Sequence, residues 1–148
     1  MLLDLGCGCN KAPGYEGLDK VPFPGVTYVH DLEVIPWPFA DSSVDGLRAR
    51  HVLEHIHNLI DVMNEAHRIL KPGAKFHIYV PMVVDSVGQI HPEAFQDPTH
   101  VRFFVPETWS YFTGRRETQM YGILPWQRLH YEEADWEAYV ILEKVCTS

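Results

Sequence analysis

The residues of this chain best suited to chemistry are two glycines and three aspartates near its start. Gly6 and Gly8 follow an apolar run, and a Gly-x-Gly turn at a strand end lets a ligand approach the backbone closely because two Cβ atoms are missing. Asp4 lies within that run, whereas Asp19 and Asp31 close the next two strand-like runs. Carboxylates only accept hydrogen bonds and therefore suit ligand hydroxyl and amino groups. The pattern predicts a nucleotide-type site at this edge.

The spacing after the glycine turn argues against a dinucleotide ligand. The usual fingerprint places a third glycine at the position of Lys11, opens a helix beneath the pyrophosphate and has an acid about 20 residues further on. Only residues 9–18 separate Gly8 from Asp19, and Pro13-Gly14 within them disfavours a helix of useful length. The turn therefore favours a ligand with ribose hydroxyls and an amino group but no phosphates.

A second group of candidates lies between positions 91 and 104, where histidines, acids and an arginine alternate with phenylalanines. We expect this segment to border an acceptor pocket, with His100 or Asp97 as general base, because imidazole titrates near neutral pH and a nearby carboxylate can orient it. An Asx turn or helix cap at Asp97 explains the same residues equally well. A metal site of His91, Asp97 and His100 is a third interpretation.

The cysteines and histidines as a whole show no standard metal or disulfide pattern. Cys7 and Cys9 lie in the glycine turn, where small side chains fit, and with Cys146 they form no disulfide framework. The nine histidines are scattered, with neither His-Glu-x-x-His nor paired Cys-x-x-Cys spacing. We therefore assign no metal ligands from the sequence.

Composition narrows the partners and the location. A net charge of -8 at pH 7 argues against nucleic-acid binding, which needs clustered Lys and Arg. No apolar run reaches the roughly 18 residues of a transmembrane helix, so no membrane association is expected. Met1 begins a strand-like run and leaves no room for a signal peptide, which favours a cytoplasmic location. The 148 residues fit a single compact domain, 1–148.

Hydrophobic patterns predict the elements that position these residues. An amphipathic helix is expected from Asn58, as N-cap, to Leu70, where Lys71-Pro72-Gly73 stops it. A strand, helix and strand in succession imply parallel pairing with a right-handed crossover. The strand-like runs are 1–5, 15–19, 26–31, 44–50 and 75–81.

The rest of the chain has weaker periodicity. Residues 82–105 show no clean period and are interpreted as a long functional loop, and residues 106–112 as a short helix with proline in its first turn. Together they form a substrate-side segment, 82–112. Two final strands, 124–131 and 137–145, are expected to pair as an antiparallel edge hairpin.

Six motifs, in order and at family spacing, closely resemble those of the class I S-adenosylmethionine-dependent methyltransferases. They are Leu3–Gly8, Pro13–Asp19, Val29–Leu32, Pro38–Asp45, His51–Ile56 and Arg68–Gly73. Any one of them is weak evidence of kinship, but the six together, within residues 1–112, form a specific signal.

The resemblance implies an α/β fold with a Rossmann-like, doubly wound, mostly parallel sheet and S-adenosyl-L-methionine at its strand ends. It implies that the glycine turn contacts the methionine and ribose part, Asp19 the ribose hydroxyls, and Asp31-Leu32 the adenine. The full cofactor-binding set is Asp4, Gly6, Cys7, Gly8, Asp19, Asp31, Leu32, Arg50 and His51. A packed core histidine explains His51 equally well, and we interpret His55 as structural and Trp37 as a loop anchor.

The chain departs from the commoner family pattern in lacking the helix between the first two strands and the one before them. It is more similar to a short-loop subgroup that acts on sugars or glycan precursors, so we expect methyl transfer to a small-molecule acceptor of that kind. Transfer of another group of the same cofactor, and a non-catalytic cofactor-binding subunit, are the alternatives. Missing helices leave apolar surface exposed, which favours a homodimer.

Overall fold

The computed structural model describes residues 1–114 and 116–145 and contains one seven-stranded mixed sheet. Its strands are β1 (Leu2–Leu5), β2 (Glu16–Asp19), β3 (Val26–Val29), β4 (Val44–Arg50), β5 (Leu70–Pro81), β6 (Trp126–Ala134) and β7 (Glu137–Lys144). The helices are α1 (Leu59–Ile69), α2 (Glu93–Gln96) and α3 (Arg116–Met120), with 3-10 helices at Leu53–His55 and Pro106–Tyr111. Cys146 lies outside the described residues.

The strand order is β3-β2-β1-β4-β5-β7-β6. The first five strands pair in parallel, whereas β7 is antiparallel to β5 and β6 is antiparallel to β7. The chain order reverses between β1 and β4, which in open α/β sheets is the switch point where ligands bind. The predicted fold class is thus confirmed, including the connection from β1 to β2 that contains no helix.

The strand β1 lies at the centre of the parallel part. Its residues Leu3, Asp4 and Leu5 are all 0% exposed, so side chains on both faces of the strand are covered. Continuous burial of this kind is typical of parallel strands rather than of a sheet with one wet face. A buried carboxylate among them needs internal partners, and this requirement shapes the site described below.

The amphipathic helix forms close to its predicted bounds, with Val62, Met63 and Ala66 buried. Its start differs in detail, because the Asn58 side chain makes no capping hydrogen bond; Glu33 Oε1 accepts the backbone N–H groups of His57 and Asn58 instead. After the helix, β5 begins at Leu70 rather than at the predicted residue 75. Leu70 already pairs with β4, ahead of an irregularity in the register.

The C-terminal hairpin is confirmed, although β6 continues to Ala134 and the turn is confined to Asp135 and Trp136. Patterning did not predict α3, nor the short α2 within the loop of residues 82–105. That loop returns to the end of the sheet through an isolated parallel bridge between Met82 and Phe104.

Across the described ranges, none of the helices has the length and apolarity needed to span a membrane.

Exposed apolar side chains occur near the β3 edge, where Val29 is 58% and Val34 57% exposed. The strand β3 is the edge strand next to β2, and the connection from β1 to β2 contains no helix. The homodimer that the sequence favours stays a prediction.

Candidate functional site

The glycine turn after β1 places both of its glycines at positive φ, a backbone region that favours glycine. Gly6 has φ +59°, and a Cβ added there would lie 2.2 Å from Cγ2 of Val52. Gly8 also has a positive φ, +53°, but the space around it is open. The N–H of Gly8 donates to Asp19 Oδ2 at 2.8 Å, so the turn is bonded to the end of β2. Positive φ and close approach together explain the Gly-x-Gly spacing.

Asp4 supports this turn from below. Its carboxylate accepts hydrogen bonds from Arg48 Nη1 at 2.9 and 2.8 Å and from the N–H of Ala12 at 2.8 Å. These contacts join β1 to β4, through Arg48, and to the loop between β1 and β2, through Ala12. Both oxygens of Asp4 are thus used within the protein, and the residue is 0% exposed, so its geometry suits it to position the turn rather than to contact a ligand.

A cavity of about 650 Å³ lies beyond the carboxyl ends of β1, β2 and β3. Its sheet side includes Gly6, Asp19, Asp31 and Leu32, four of the predicted cofactor residues. Its opposite wall, which we call the loop side, is formed by residues of the segments 51–57 and 98–101. This volume falls within the range of small-molecule and cofactor pockets.

The two aspartates of the sheet side are held in the same way. Asp19 Oδ1 accepts the N–H of Val21 at 2.9 Å, and Asp31 Oδ1 accepts the N–H of Glu33 at 3.0 Å. Each is an Asx turn that fixes the carboxylate at its strand end. A carboxylate oxygen has more than one lone-pair site, so both groups keep acceptor capacity for a ligand.

The loop that carries Leu32 is anchored by Trp37. The Trp37 indole N–H donates to the Leu32 carbonyl at 2.9 Å, and its backbone N–H donates to Glu65 Oε1 at 2.6 Å. Glu65 in turn accepts from the Arg68 guanidinium at 2.6 and 2.9 Å. Burial of Glu65 opposes its ionisation, but these hydrogen bonds outweigh it and lower its pKa.

A smaller cavity of about 210 Å³ shares Gly6 and His51 with the first. Its wall also includes Cys7, Arg48 and Arg50. The Arg50 side chain is 55% exposed, with Nε 3.9 Å from Glu137 Oε2. Burial, with the charges of Asp4 and Asp19, raises the pKa of the Cys7 thiol, which supports a packing role for this cysteine.

His51, where the two cavities meet, is placed between two carboxylates. Its Nδ1 lies 3.3 Å from Glu54 Oε1 and its Nε2 2.5 Å from Glu137 Oε2. The hydrogen bond with Glu54 raises the pKa of His51 against the opposing effect of burial, and Glu137 adds to the increase. Both ring nitrogens are engaged, so His51 does not present a free lone pair as a base would.

Glu137 was not among the predicted site residues. It begins β7, 86 residues after His51 in the chain, and only the antiparallel insertion of β7 beside β5 brings the two together. The sequence contains no motif around Glu137 that distinguishes it from other acids of the hairpin.

The proposed catalytic pair does not lie on the cavity wall. Asp97 Oδ1 accepts the Thr99 N–H at 2.8 Å and its hydroxyl at 2.6 Å, and these bonds lower the pKa of Asp97. His100 Nδ1 contacts the Ala94 carbonyl at 2.7 Å. Of the same loop, Pro98, Thr99 and Val101 face the cavity. The geometry favours the Asx-turn interpretation, and a catalytic role for Asp97 or His100 stays a prediction.

Two other histidines also differ from expectation. His91 Nε2 lies 3.2 Å from Asp85 Oδ2, a partner that the predicted set of His91, Asp97 and His100 did not include. His55, interpreted as structural, lines the large cavity. Its Nδ1 is 2.9 Å from the Thr99 hydroxyl, so it also holds the loop in place.

A Rossmann-like sheet with aspartates at successive strand ends, around a cavity at the switch point, defines an α/β domain of the class in which ligands bind at this edge of the sheet. Residues 16–78 match the protein family described as "Methyltransferase domain". The resemblance to the class I S-adenosylmethionine-dependent methyltransferases is therefore confirmed.

Among curated proteins, the chain is 32% identical over 81 residues to the uncharacterized protein YafE of Escherichia coli, covering 49% of this chain and 37% of that protein. It is 35% identical over 66 residues to the sterol 4-C-methyltransferase strm-1 of Caenorhabditis elegans, covering 45% and 20% respectively. The chain thus spans much less than two thirds of the length of these relatives.

Solved structures share the fold at lower identity. A putative methyltransferase from Bacillus halodurans superposes with a TM-score of 0.68 at 13% identity, covering 98% of this chain and 92% of that one. The [4+2]-cyclase SpnF gives the same TM-score, 0.68, at 15% identity, covering 99% and 74%. At such identities the likeness establishes the fold alone.

Proposed function

We propose that this chain binds S-adenosyl-L-methionine and transfers its methyl group to a small-molecule acceptor. The observation that carries the proposal is the large cavity, in which the carboxylates of Asp19 and Asp31 are fixed at neighbouring strand ends. Two acceptors at neighbouring strand ends beside the switch point suit the ribose and adenine of a nucleoside. The family match supports methyl transfer as the chemistry.

Different parts of the cofactor would occupy the two cavities, according to the residues that line each of them. Asp19 would accept from the ribose hydroxyls and Asp31 from the adenine amino group, beside the anchored Leu32. Gly6 belongs to both walls and leaves room for the ligand to pass from one cavity to the other. In the smaller cavity, the half-exposed guanidinium of Arg50 would pair with the methionine carboxylate.

The cofactor, when bound, supplies an electrophilic methyl group on a sulfonium. The protein must then hold an acceptor in line with that methyl group, and positioning of this kind can supply much of the rate enhancement. The loop side offers polar groups for this task, including His55, His57 and Thr99. A polar wall suits a hydroxylated acceptor, which supports a sugar or glycan precursor as the substrate class.

The fold alone does not decide between methyl transfer and other uses of the same cavity. SpnF, described as a [4+2]-cyclase, has this fold, so both cofactor binding and transfer have to be measured. A transferase of another group, or a cofactor-binding subunit that works with a partner, would bind the same ligand without methylating an acceptor.

Isothermal titration calorimetry with S-adenosylmethionine, S-adenosylhomocysteine and NAD tests the binding step. We expect the first two to bind with one site per chain and NAD not to bind, because no helix follows the glycine turn to hold a pyrophosphate. Absence of binding to both S-adenosyl compounds would refute the proposal.

Transfer of a radiolabelled methyl group to a panel of sugars, sugar nucleotides and other hydroxylated compounds tests the reaction. We expect labelling of at least one hydroxylated acceptor, together with release of S-adenosylhomocysteine. Tight cofactor binding with no labelled product across the panel would favour the non-catalytic alternative over the enzyme.

A further inference from the structure

Three side chains with metal-binding atoms meet next to the loop side of the large cavity, and of these three only His55 lines the cavity wall. Glu54 and His55 belong to the 3-10 helix after β4, whereas His100 follows α2. One candidate ligand atom from each lies within 4.8 Å of those of the other two. Nothing in the motifs of the sequence pairs these residues, because the cluster exists only when the two segments pack together.

Glu54 has an unsatisfied carboxylate oxygen. Its side chain is 1% exposed, and Oε1 lies 3.3 Å from His51 Nδ1. Within residues 1–114 and 116–145, the buried Oε2 finds no hydrogen-bond partner. A buried carboxylate oxygen without a donor or a cation is costly, so the site is incomplete as it stands.

Hydrogen bonds at Nδ1 set the tautomers of the two neutral imidazoles. The Thr99 hydroxyl donates its only proton to Asp97 Oδ1 at 2.6 Å, so at 2.9 Å it accepts from His55 Nδ1. The Ala94 carbonyl, 2.7 Å from His100 Nδ1, can only accept. Each ring therefore carries a proton on Nδ1 and leaves Nε2 as an acceptor. A ring N–H held by a protein oxygen is the usual support of a metal-bound histidine.

A cation is the group that such a cluster lacks. One possible ligand atom from each side chain lies within 4.8 Å of those of the other two, and His100 Nε2 is 3.7 Å from Asp97 Oδ2, beyond hydrogen-bond distance. Two imidazoles and one carboxylate suit zinc and neighbouring transition metals, whereas Mg²⁺ and Ca²⁺ prefer oxygen ligands alone. Metal bonds of about 2.0–2.2 Å place tetrahedral ligand atoms about 3.4 Å apart, so binding would draw together ligand atoms that now lie within 4.8 Å of one another.

We propose that Glu54, His55 and His100 bind one divalent first-row transition-metal ion of the zinc type. His55 and the adjoining Thr99 line the large cavity, so the ion lies beside the space assigned to the acceptor. The proposal stands apart from methyl transfer, because metal binding is measured without cofactor or acceptor.

Titration of untagged, chelator-treated protein with Co²⁺ tests the site. We expect visible d–d absorption that saturates at one equivalent and disappears when Zn²⁺ is added, because zinc forms the more stable complex. Elemental analysis after dialysis should return one zinc per chain. Absence of saturable Co²⁺ binding would overturn the proposal.

Single substitutions locate the ion. His100→Ala and His55→Ala should each weaken Co²⁺ binding at least tenfold, and Glu54→Gln should do the same with little change in shape. The control is His130→Ala, which removes an exposed histidine that also contacts a carboxylate, Glu132, at 3.2 Å. Circular dichroism confirms folding of each variant. Equal Co²⁺ affinity in the parent and in folded His55→Ala and Glu54→Gln variants would refute the assignment.

Discussion

Asx turns occur both on the sheet side of the large cavity and in the loop opposite it, but only those on the sheet side direct a carboxylate at the cavity. Asp19 and Asp31 on the sheet side, and Asp97 in the loop of residues 82–105, each accept the backbone N–H two residues further on. The first two face the cavity because parallel strands end at that edge. Asp97 starts the same kind of turn but does not line it. An Asx turn thus fixes the position of a carboxylate. Whether that carboxylate faces the cavity depends on the strand that precedes the turn.

The loop side depends on long-range contacts instead. The Glu54 carbonyl accepts the N–H groups of Val101 and Arg102 at 2.8 and 3.0 Å, and Arg102 Nε donates to the Ile56 carbonyl at 3.1 Å. These bonds attach the loop to the segment after β4. The sheet side is therefore built by strands and turns, and the loop side by the docking of two distant segments.

The largest effect is expected for Gly6→Ala on the sheet side. A Cβ 2.2 Å from Val52 and a φ of +59° should together cost about 3 kcal/mol in the free energy of unfolding. Gly8→Ala is the matched control, with a similar φ but open space, and should cost about 1 kcal/mol. Urea unfolding measures both. Equal losses would show that close packing at Gly6 is unimportant.

Asp19→Asn compares the two kinds of Asx turn directly. Losing the charge should weaken S-adenosylhomocysteine binding roughly 10- to 100-fold, because hydrogen bonds to a charged group contribute about 1.5–3 kcal/mol. Asp97→Asn keeps the same turn outside the cavity and should leave this affinity unchanged. Calorimetry of both variants checks the difference. A comparable loss in the two would contradict the assignment of the sheet side as the nucleoside site.

Glu65→Gln tests the anchor behind Leu32. Glu65 accepts from Trp37 and Arg68, and its substitution should reduce the free energy of unfolding by about 1–2 kcal/mol at pH 7. The folded-state pKa of Glu65 is below its ordinary value of 4.5, so this stabilisation is fully present above that value and disappears as the pH falls through the folded pKa.

The parent and Glu65→Gln should therefore converge in stability in acid, as measured by urea unfolding at several pH values. Asp41→Asn is the control, since it removes a partner of Arg68 that is 80% exposed and should cost less than about 0.5 kcal/mol. A difference between parent and Glu65→Gln that is constant with pH would exclude this ionisation as its source.

The smallest effect is expected for Thr99→Val on the loop side. The Thr99 hydroxyl accepts from His55 Nδ1 at 2.9 Å, and removing this support should weaken Co²⁺ binding by about tenfold, the lower end of the usual effect. Co²⁺ titration measures the change. Ser110→Ala is a control for loss of a hydroxyl, because the Ser110 hydroxyl donates to the Glu107 carbonyl, and this variant should not alter Co²⁺ affinity. Unchanged Co²⁺ affinity in Thr99→Val would show that Thr99 does not support the metal site.

Much of the fold follows from local patterns. The alternation of residues 75–80 in β5 and the apolar stripe of α1 predict these elements because each buries a regular set of side chains. The helix α3, only five residues long, gives too short a period to be recognised. The early start of β5 depends on pairing with β4, which no local pattern reports.

The sequence by itself determined the sheet side of the site. Gly6, Asp19 and Asp31 could be assigned there because strand, turn and carboxylate are consecutive in the chain, and parallel strands end at one edge. Only the tertiary structure determined the contacts between residues that are distant in the chain. Glu137 reaches His51, and His100 reaches Glu54, through the insertion of β7 and the docking of the loop. Contacts between distant segments depend on the whole packed chain, and no local spacing encodes them.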